Sequence, residues 1–298
     1  MSDSHCGFVA IVGAPNSGKS TLLNRLIGEK VAITAAKPQT TRHRILGVLT
    51  EPPGQLIFWD TPGLHISEKL LNQEMMSLTK SSLADSDVVL WVVDGYKRGL
   101  DHRLAQEMIQ TLKKPVVVGI NKTDKFDAEG KIGLEKLARE LVFNDGASML
   151  ISAKTGLGLF RLKSELYSRL PSQKPLYPPD TLTDQPLRSL AAELVREAVF
   201  RLTSQEIPYA TAVSIEEFKE PDERGFYFIN ATIHVEKPNQ KKMIIGQGGQ
   251  TLKNIGQAAR LNLEKLVDSR VFLRLFVRVT KDWSKKSKDI KAFGYGDY

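Results

Sequence analysis

The chain has 298 residues, which is enough for two domains. Its content of 41% hydrophobic and 26% charged residues is ordinary for a soluble globular protein. A single cysteine, Cys6, excludes an intrachain disulfide, and no apolar run approaches the roughly 20 residues that span a bilayer. The first residues lack the basic start and apolar core of a secretory signal, so we expect a cytoplasmic location.

The net charge of +8 is unevenly distributed along the chain. Residues 237–298 contain 14 Lys or Arg and 5 Asp or Glu, a net charge of +9, so the rest of the chain is close to neutral. A basic footprint of this kind favours a polyanionic partner, either nucleic acid or the anionic face of a membrane. The alternative is a solvated basic surface with no partner.

Short β-branched runs alternate with helical patterns through the first 170 residues. The predicted strands are 8–12, 45–49, 55–59, 88–93, 116–120 and 149–151, and the predicted helices are 21–27, 70–83, 103–112, 132–143 and 159–170. This alternation predicts an α/β fold with a mainly parallel sheet and helices on both faces. Ligands of such sheets bind at the carboxyl ends of the strands.

A glycine-rich loop follows the first predicted strand and precedes the first predicted helix. It reads G-x-x-x-x-G-K-S and consists of Gly13, Ala14, Pro15, Asn16, Ser17, Gly18, Lys19 and Ser20, with Thr21 next. In this strand–loop–helix context the backbone N–H groups and the helix N-terminus surround phosphate. Lys19 would reach the outer phosphates and Ser20 would hold Mg²⁺.

Two further strand ends carry polar turns that suit a nucleoside triphosphate. Asp60, Thr61, Pro62, Gly63 and Leu64 follow the strand 55–59. Asp60 is a candidate Mg²⁺ ligand, and the N–H of Gly63 a candidate donor to the terminal phosphate. Alone, this stretch is equally good turn chemistry.

The second polar turn is N-K-x-D, which consists of Asn121, Lys122, Thr123 and Asp124 after the strand 116–120. A carboxylate at Asp124 can accept hydrogen bonds from N1–H and the 2-amino group of guanine, both of which adenine lacks. Ser152, Ala153 and Lys154 follow the last strand and offer a backbone N–H to guanine O6. Together the turns predict a guanine nucleotide.

A polar segment at 37–44 contains two adjacent threonines. One hydroxyl of Thr40 or Thr41 would complete the Mg²⁺ coordination when the γ-phosphate is present. We favour Thr41, although the spacing does not exclude Thr40.

The alternation ends at a proline-rich stretch, where four of residues 171–180 are proline. This predicts a stiff linker and three regions: a nucleotide domain over 1–171, a linker over 172–186 and a smaller α+β domain over 187–298. In the last region the pattern is helix 187–202, strands 210–218 and 226–235 joined by a polar turn (219–225), helices 239–245 and 251–267, and strand 271–279.

A G-x-x-G loop interrupts the two later helices. Glycines let a nucleic-acid backbone approach closely, and nearby basic residues add attraction for phosphate, although a simple helix break is the alternative. The order of elements resembles a KH domain of the bacterial type II, which clamps about four nucleotides of single strand. The candidate RNA-binding residues are Lys241, Lys242, Gly246, Gln247, Gly248, Gly249, Lys253 and Arg260. Ile244, Ile245, Leu252 and Ile255 either line the base groove or belong to the core, which we favour. The basic segment 281–288 is a candidate contact for RNA or anionic lipid.

These motifs in this order resemble the Era family of GTPases, and the resemblance covers the whole chain. Its most specific part is Q-T-T-R-H at 39–43. The resemblance implies switch segments near 31–44 and 61–71, binding of GTP and GDP, and hydrolysis of GTP. It also implies a partner in the 3′ end of 16S ribosomal RNA, a role in 30S subunit assembly, possible contact with the membrane face, and a monomer. Catalysis would consist of positioning and charge neutralisation by Lys19, by Mg²⁺ held through Ser20 and Thr41, and by backbone donors including Gly63.

One position departs from the better-known GTPase pattern. Leu64 stands where a water-positioning glutamine often lies, and a leucine cannot polarise water. In relatives with such a replacement, the residue at the position of Asn16 helps to bind K⁺, and we predict this here; the alternative is that Asn16 only braces the loop. An adaptor that binds RNA, with nucleotide only stabilising the fold and hydrolysis incidental, is the other function that fits the sequence.

Overall fold

The computed structural model describes residues 4–35, 37, 39–64, 69–97, 100–142, 146–204, 206–221 and 225–295. Several parts of the sequence predictions lie outside the described residues: positions 36 and 38 of the first switch segment, 65–68 of the second switch segment, 143 of the helix 132–143 and 222–224 of the polar turn.

The first half of the chain forms a mainly parallel sheet. Its strands are β1 (His5–Val12), β2 (Ile45–Glu51), β3 (Gly54–Asp60), β4 (Val88–Asp94), β5 (Val116–Asn121) and β6 (Ala147–Leu150), in the order β2-β3-β1-β4-β5-β6. Only the β2–β3 pair is antiparallel among these neighbours. The predicted α/β fold is therefore confirmed, and the carboxyl ends of β1, β3 and β5 meet at one edge, where the polar turns lie.

Helices cover both faces of this sheet. They are α1 (Lys19–Ile27), α2 (Leu70–Asp85), α3 (Leu100–Gln110), α4 (Ala128–Glu140) and α5 (Leu159–Tyr167). Apolar residues of α1 and α5 form one core with the sheet, and those of α2, α3 and α4 form a second core on its other face. Strand β4 is buried along its whole length because apolar residues point to both cores.

The last third forms a smaller α+β unit. It consists of α6 (Leu187–Leu202), β7 (Ala212–Lys219), β8 (Phe226–Val235), α7 (Pro238–Ile245), α8 (Gln250–Val267) and β9 (Arg270–Val279). The strands lie in the order β7-β8-β9, with β7–β8 antiparallel and β8–β9 parallel. Helices α6 and α8 pack on one face of the sheet. This is the predicted KH order of elements, and it is confirmed.

The linker at 172–186 is attached to the first domain. The Val48 N–H donates to the Leu182 carbonyl at 2.9 Å, and the Thr183 hydroxyl donates to the Leu46 carbonyl at 2.7 Å. The segment thus covers the edge strand β2 and protects its unpaired backbone groups.

The basic segment after Thr280 folds back onto both domains, which the sequence did not indicate. Trp283 is fully buried, and its indole N–H donates to the Ala210 carbonyl at 2.9 Å. Together with Ile290 of α9 (Ser287–Ala292), it packs against Leu71 and Met75 of α2. Among the described residues, no helix combines the length and apolar character needed to cross a bilayer.

Candidate nucleotide site and RNA interface

The glycine-rich loop connects β1 to α1 with a backbone that two of its glycines make possible. A Cβ on Gly13 would lie 2.2 Å from the Val92 carbonyl oxygen, and a Cβ on Gly18 would lie 2.3 Å from Nδ2 of Asn121. Both glycines also have positive φ angles, of 152° and 100°. The glycine-rich loop is therefore held close to β4 and to the N-K-x-D loop, and α1 begins directly after it, as the motif predicts.

Lys19 is buried inside the loop. It is only 6% exposed, and its Nζ donates to the carbonyls of Gly13 at 3.1 Å and Ala14 at 3.0 Å. Burial lowers the pKa of Lys19 to about 8, and the charge of Asp60 opposes this effect. A lysine with this pKa is still mostly protonated at neutral pH, so it brings a positive charge to the anion-binding loop.

The three candidate Mg²⁺ ligands lie together. The Ser20 Oγ donates to Oδ2 of Asp60 at 2.5 Å and lies 2.8 Å from Oγ1 of Thr41, which itself donates to Oδ2 of Asp60 at 3.3 Å. Thr40 instead donates to the Lys37 carbonyl at 2.8 Å. The spacing in the sequence did not decide which of the two threonines is the candidate Mg²⁺ ligand. The geometry favours Thr41, because its hydroxyl lies beside Ser20 and Asp60.

Asp60 provides the test of whether this cluster fits Mg²⁺. It is completely buried, and burial raises its pKa to about 6, against the lowering effects of Lys19, Ser20 and Thr41. Its second oxygen, Oδ1, is buried and has no hydrogen-bond partner within the described residues. A buried carboxylate oxygen without a partner, beside two hydroxyls, is a donor set that suits a hard cation. The residues therefore fit the ion.

The N-K-x-D loop is joined to the glycine-rich loop by two side chains. Asn121 donates to the Ser17 carbonyl at 2.8 Å and accepts from the Ala153 N–H at 2.9 Å. Lys122 donates to the Asn16 carbonyl and to Asp94, both at 2.6 Å. These bonds hold the phosphate and base loops in a fixed relation to each other.

Asp124 is exposed at the end of this loop, where a base can reach it. Its Oδ1 accepts from the Ser152 hydroxyl at 2.7 Å, and this bond is the main reason why its pKa lies below the ordinary value. The Thr123 hydroxyl donates to the Ile151 carbonyl at 2.8 Å and fixes the loop to the end of the neighbouring strand β6. The arrangement presents a charged acceptor, with Ser152 orienting it. Lys154 is exposed next to it.

The D-T-P-G-L turn lies directly over the glycine-rich loop. A Cβ on Gly63 would lie 2.8 Å from the Cα of Pro15, so only glycine allows this approach. Thr61 donates to the Ile11 carbonyl at 2.8 Å. The Leu64 N–H donates to the Gly13 carbonyl at 3.2 Å, while its side chain is 1% exposed and packs in the core. Leu64 therefore contributes its backbone to the site and no side chain.

The G-x-x-G loop links α7 to α8 in the smaller domain. Gly246 has a φ of 74°, and a Cβ there would lie 2.2 Å from the Thr251 Oγ1, whereas Gly248 and Gly249 have open space around the Cβ position. Gly246 is thus needed for the turn, and the other two leave room for an incoming backbone. The side chains of Lys242, Gln247, Lys253 and Arg260 are exposed nearby. That of Lys241 is half-buried.

A groove runs from this loop along α8. It is lined by Gly249, Leu252, Lys253, Gly256, Gln257, Arg260, Leu273 and Leu275. Of the four apolar candidates, Ile244 and Ile255 are fully buried in the core and Ile245 is half-buried, so only Leu252 lines the groove. Sequence reasoning missed Leu273 and Leu275 of β9; the alternation of that strand was the available signal.

Three consecutive residues of the first switch segment connect the nucleotide site to the smaller domain. The Thr40 carbonyl accepts from the guanidinium of Arg196 on α6, and the Thr41 hydroxyl faces Ser20. Arg42 is 1% exposed and donates to the carbonyls of Thr211 at 2.7 Å and of Pro208 and Tyr209 at 3.0 Å.

The Arg42 guanidinium also lies over three aromatic rings of the smaller domain. Its distances to the ring centroids are 5.7 Å for Phe200, 5.7 Å for Trp283 and 5.4 Å for Tyr295. Burial lowers the pKa of Arg42 to about 10, so the group stays charged at neutral pH. A second contact pairs Lys30 with the fully buried Glu197 of α6, which also accepts from the Thr34 N–H at 3.1 Å.

A phosphate-binding loop and an N-K-x-D loop at the strand ends of a mainly parallel sheet define the class of P-loop GTPases. The G-x-x-G loop between two helices of the smaller domain defines a KH domain joined to it. Comparison with known proteins agrees. Residues 8–122 match the family model described as 50S ribosome-binding GTPase, and residues 206–284 match the KH domain. The chain is 45% identical to GTPase Era of Geobacter metallireducens, over 99% of this chain and 100% of that protein. It is 44% identical to GTPase Era of Pseudomonas aeruginosa, over 99% and 96%.

Solved structures give the same result. One is a crystal structure of Era in complex with MgGDPNP and nucleotides 1506–1542 of 16S ribosomal RNA, with a TM-score of 0.93, 40% identity and coverage of 99% of this chain and 100% of that chain. Another is a single-residue variant of Aquifex aeolicus Era bound to GDP and AlF4⁻, with a TM-score of 0.91, 40% identity and coverage of 98% and 100%. The chain belongs to the Era family of GTPases and is a GTP hydrolase.

Proposed function

We propose that the chain couples its nucleotide state to the binding of 16S ribosomal RNA near its 3′ end and acts in assembly of the 30S subunit. The observation that carries the coupling is the 40–42 segment, in which Thr41 faces the nucleotide site while Thr40 and Arg42 bind the KH domain. A γ-phosphate that reorders Thr41 must also act on its two neighbours. The 16S RNA in the crystal structure of a 40% identical Era supports the choice of partner.

In this proposal GTP binds to four segments of the first domain. They are the glycine-rich loop (Gly13–Ser20) with Thr21, the turn 60–64, the N-K-x-D loop and residues 152–154. Mg²⁺, which is part of the related complex, would be held by Ser20, Thr41 and Asp60. It would neutralise charge on the phosphates. Lys19 adds a second positive charge, and the N–H groups of the loop and of Gly63 add fixed dipoles. The RNA lies at Lys241, Lys242, the loop 246–249, Lys253 and Arg260.

The remaining parts of the proposal concern place and organisation. We propose a cytoplasmic monomer with domains at 1–171 and 187–298 and a linker at 172–186. Contact with the membrane face stays a prediction. The segment 281–288 offers its exposed lysines for it, whereas its tryptophan is buried within the protein.

Substituting the open glycine of the KH loop tests the RNA part of the proposal. We expect Gly248→Asp to weaken binding of a 16S 3′-end fragment by more than about tenfold, since it places a negative charge beside the RNA backbone. Aspartate is among the residues that adopt a φ of 58° most readily, and the Cβ meets no atom within 4 Å among the described residues, so the loss of stability should be limited to backbone strain of about 1–2 kcal/mol. Filter binding measures the affinity. Gly133→Asp, at an equally open position on α4, is the matched control. Equal RNA affinity in both variants would contradict the proposal.

The buried side chain of Leu64 leaves the hydrolysis reaction without a polar group at that position, which directs attention to Asn16. We expect steady-state GTP turnover to be at least about tenfold faster in K⁺ than in Na⁺, because a bound cation supplies charge that an arginine finger otherwise provides. The Asn16→Ala variant should lose this difference while retaining its turnover in Na⁺. Equal rates of the unsubstituted protein in the two salts would reject a role for K⁺.

A further inference from the structure

The KH sheet has a second face, opposite to α6 and α8, and one end of it is open. Along β8 and β9, the side chains of Ile229, Ala231 and Val271 point to the helices. The alternate positions point away, and several of them carry aromatic or basic residues. These are Phe226, Phe228, Arg270, Phe272, Arg274, Phe276 and Arg278, which we call the outer sheet face.

The two ends of this face differ in exposure. At one end, the ring of Phe293 lies 4.5 Å from that of His234, and the C-terminal segment packs over Ala212, so the face is covered. Away from this cover, Phe272 near the start of β9 is 49% exposed, and Phe276 further along the same strand is 50% exposed. Two half-exposed phenylalanines on one strand face, with Arg274 between them, are unusual on a solvated surface and indicate a binding surface.

Two of the three arginines of the outer sheet face lie over its aromatic rings. Arg274 lies 5.6 Å from the ring centroid of Phe228 and 5.9 Å from that of Phe272, and these two rings stack at 5.3 Å with an angle of 6°. Arg270 lies 5.7 Å from the ring of Phe226. In the described part of the chain, Arg274 makes no ion pair with a carboxylate. Flat rings interleaved with arginines match a single strand of nucleic acid, whose bases stack and whose phosphates need cations.

The outer sheet face is also continuous with the groove. Strand β9 is the edge of its sheet, and its residues alternate between the two surfaces: Leu273 and Leu275 line the groove, while Phe272, Arg274 and Phe276 lie on the outer face. A strand longer than the roughly four nucleotides that a KH groove holds must leave the groove somewhere. We propose that the outer sheet face is a second binding surface for single-stranded RNA, which reaches it from the groove around the edge of β9. The inference rests on the proposed RNA binding by the groove.

The experiment compares two RNAs, a single strand of about four nucleotides that fills the groove and one of about 16 nucleotides that contains it. Fluorescence anisotropy measures both affinities for the full chain. The double variant Phe272→Ala and Phe276→Ala should bind the short RNA with unchanged affinity and the long RNA about tenfold more weakly, which corresponds to about 1.4 kcal/mol. Phe160→Ala is the control, since Phe160 is 85% exposed on α5 of the other domain.

The single variant Arg274→Gln gives an independent result if the double variant does not fold. It should reduce the salt dependence of long-RNA binding by about 0.7 in the log–log slope, the effect of one lost phosphate contact. Unchanged long-RNA binding in these variants overturns the inference. So does a protein that sediments as a dimer and becomes monomeric in the variants, because the face then binds a second copy. If the unsubstituted protein binds neither RNA, the proposed function itself has failed.

Discussion

The Asp124→Asn variant should lose its preference for guanine nucleotides. The carboxylate of Asp124 is an acceptor only, and guanine offers two donors, N1–H and the 2-amino group. An asparagine amide keeps one acceptor oxygen and presents a donor in place of the other, so one hydrogen bond is lost to a donor–donor clash and the second is no longer made to a charged group. Hydrogen bonds to a charged group are worth about 1.5–3 kcal/mol each. We expect GTP affinity to fall by at least about a hundredfold. Affinity for xanthosine triphosphate should rise, since xanthine carries an oxygen where guanine carries the amino group.

Competition with a fluorescent nucleotide measures these affinities. Asp127→Asn is the matched control three residues away. Asp127 caps α4 and accepts from the Gly130 N–H at 2.8 Å, a role that asparagine fills equally well. The control should therefore bind GTP as the unsubstituted protein does. If Asp124→Asn retained GTP affinity within about threefold, less than the loss of a single such bond, Asp124 would not read the base.

The candidate residues of the nucleotide site lie together as the motifs predict, because each part of the site is encoded locally. A glycine in the left-handed region, a carboxylate at a strand end and a lysine at a helix start are each set by their neighbours in the chain. The parallel sheet then brings separate strand ends together without further information. The choice between Thr40 and Thr41 marks the limit, since both lie in an irregular segment whose path depends on contacts with Arg196 and Asp60.

The connection between the domains was not predictable in the same way. Nothing near Arg42 in the sequence shows that its guanidinium meets carbonyls at 208–211, and the basic residues around Trp283 suggested a contact for RNA or anionic lipid. Their burial depends on how two independently patterned units dock. The residues that line the groove were equally hard to predict. The alternation of β9 shows that its residues point to two surfaces, but only the packed helices determine which surface is which.

Docking of this kind explains how a small change at the nucleotide can reach the RNA. Glu197 and Arg196 on α6 hold the first switch segment from one side, and Arg42 inserts from the switch into the KH domain. The buried charges make the contact selective for one arrangement, because a partly withdrawn guanidinium leaves carbonyls without partners. Such a contact is either made or broken, which suits a switch with two states.

We therefore expect Arg42→Ala to uncouple the domains. In the unsubstituted protein, the RNA affinities of the GTP-analogue and GDP forms should differ by the roughly 5- to 150-fold typical of coupled sites. In the variant this ratio should fall towards one. Loss of the buried charge and of its bonds to three carbonyls should also reduce the free energy of unfolding by about 3 kcal/mol or more. Nucleotide affinity should change less than the ratio does, since Lys19 and the loop 13–20 remain.

Anisotropy with a 16S 3′-end fragment, in each nucleotide state, measures the ratio, and urea unfolding measures stability. Arg44→Ala is the control two residues away, where the side chain is 38% exposed and lies over Trp59 within its own domain. If the alanine variant does not fold, Arg42→Lys keeps a charge but not the fork of donors, and it should lower the ratio as well. A ratio that stays at its original value in a folded variant would place the coupling elsewhere. A ratio of one in the unsubstituted protein would favour the adaptor, in which nucleotide only stabilises the fold, because Thr41 would then change its contacts without moving Arg42.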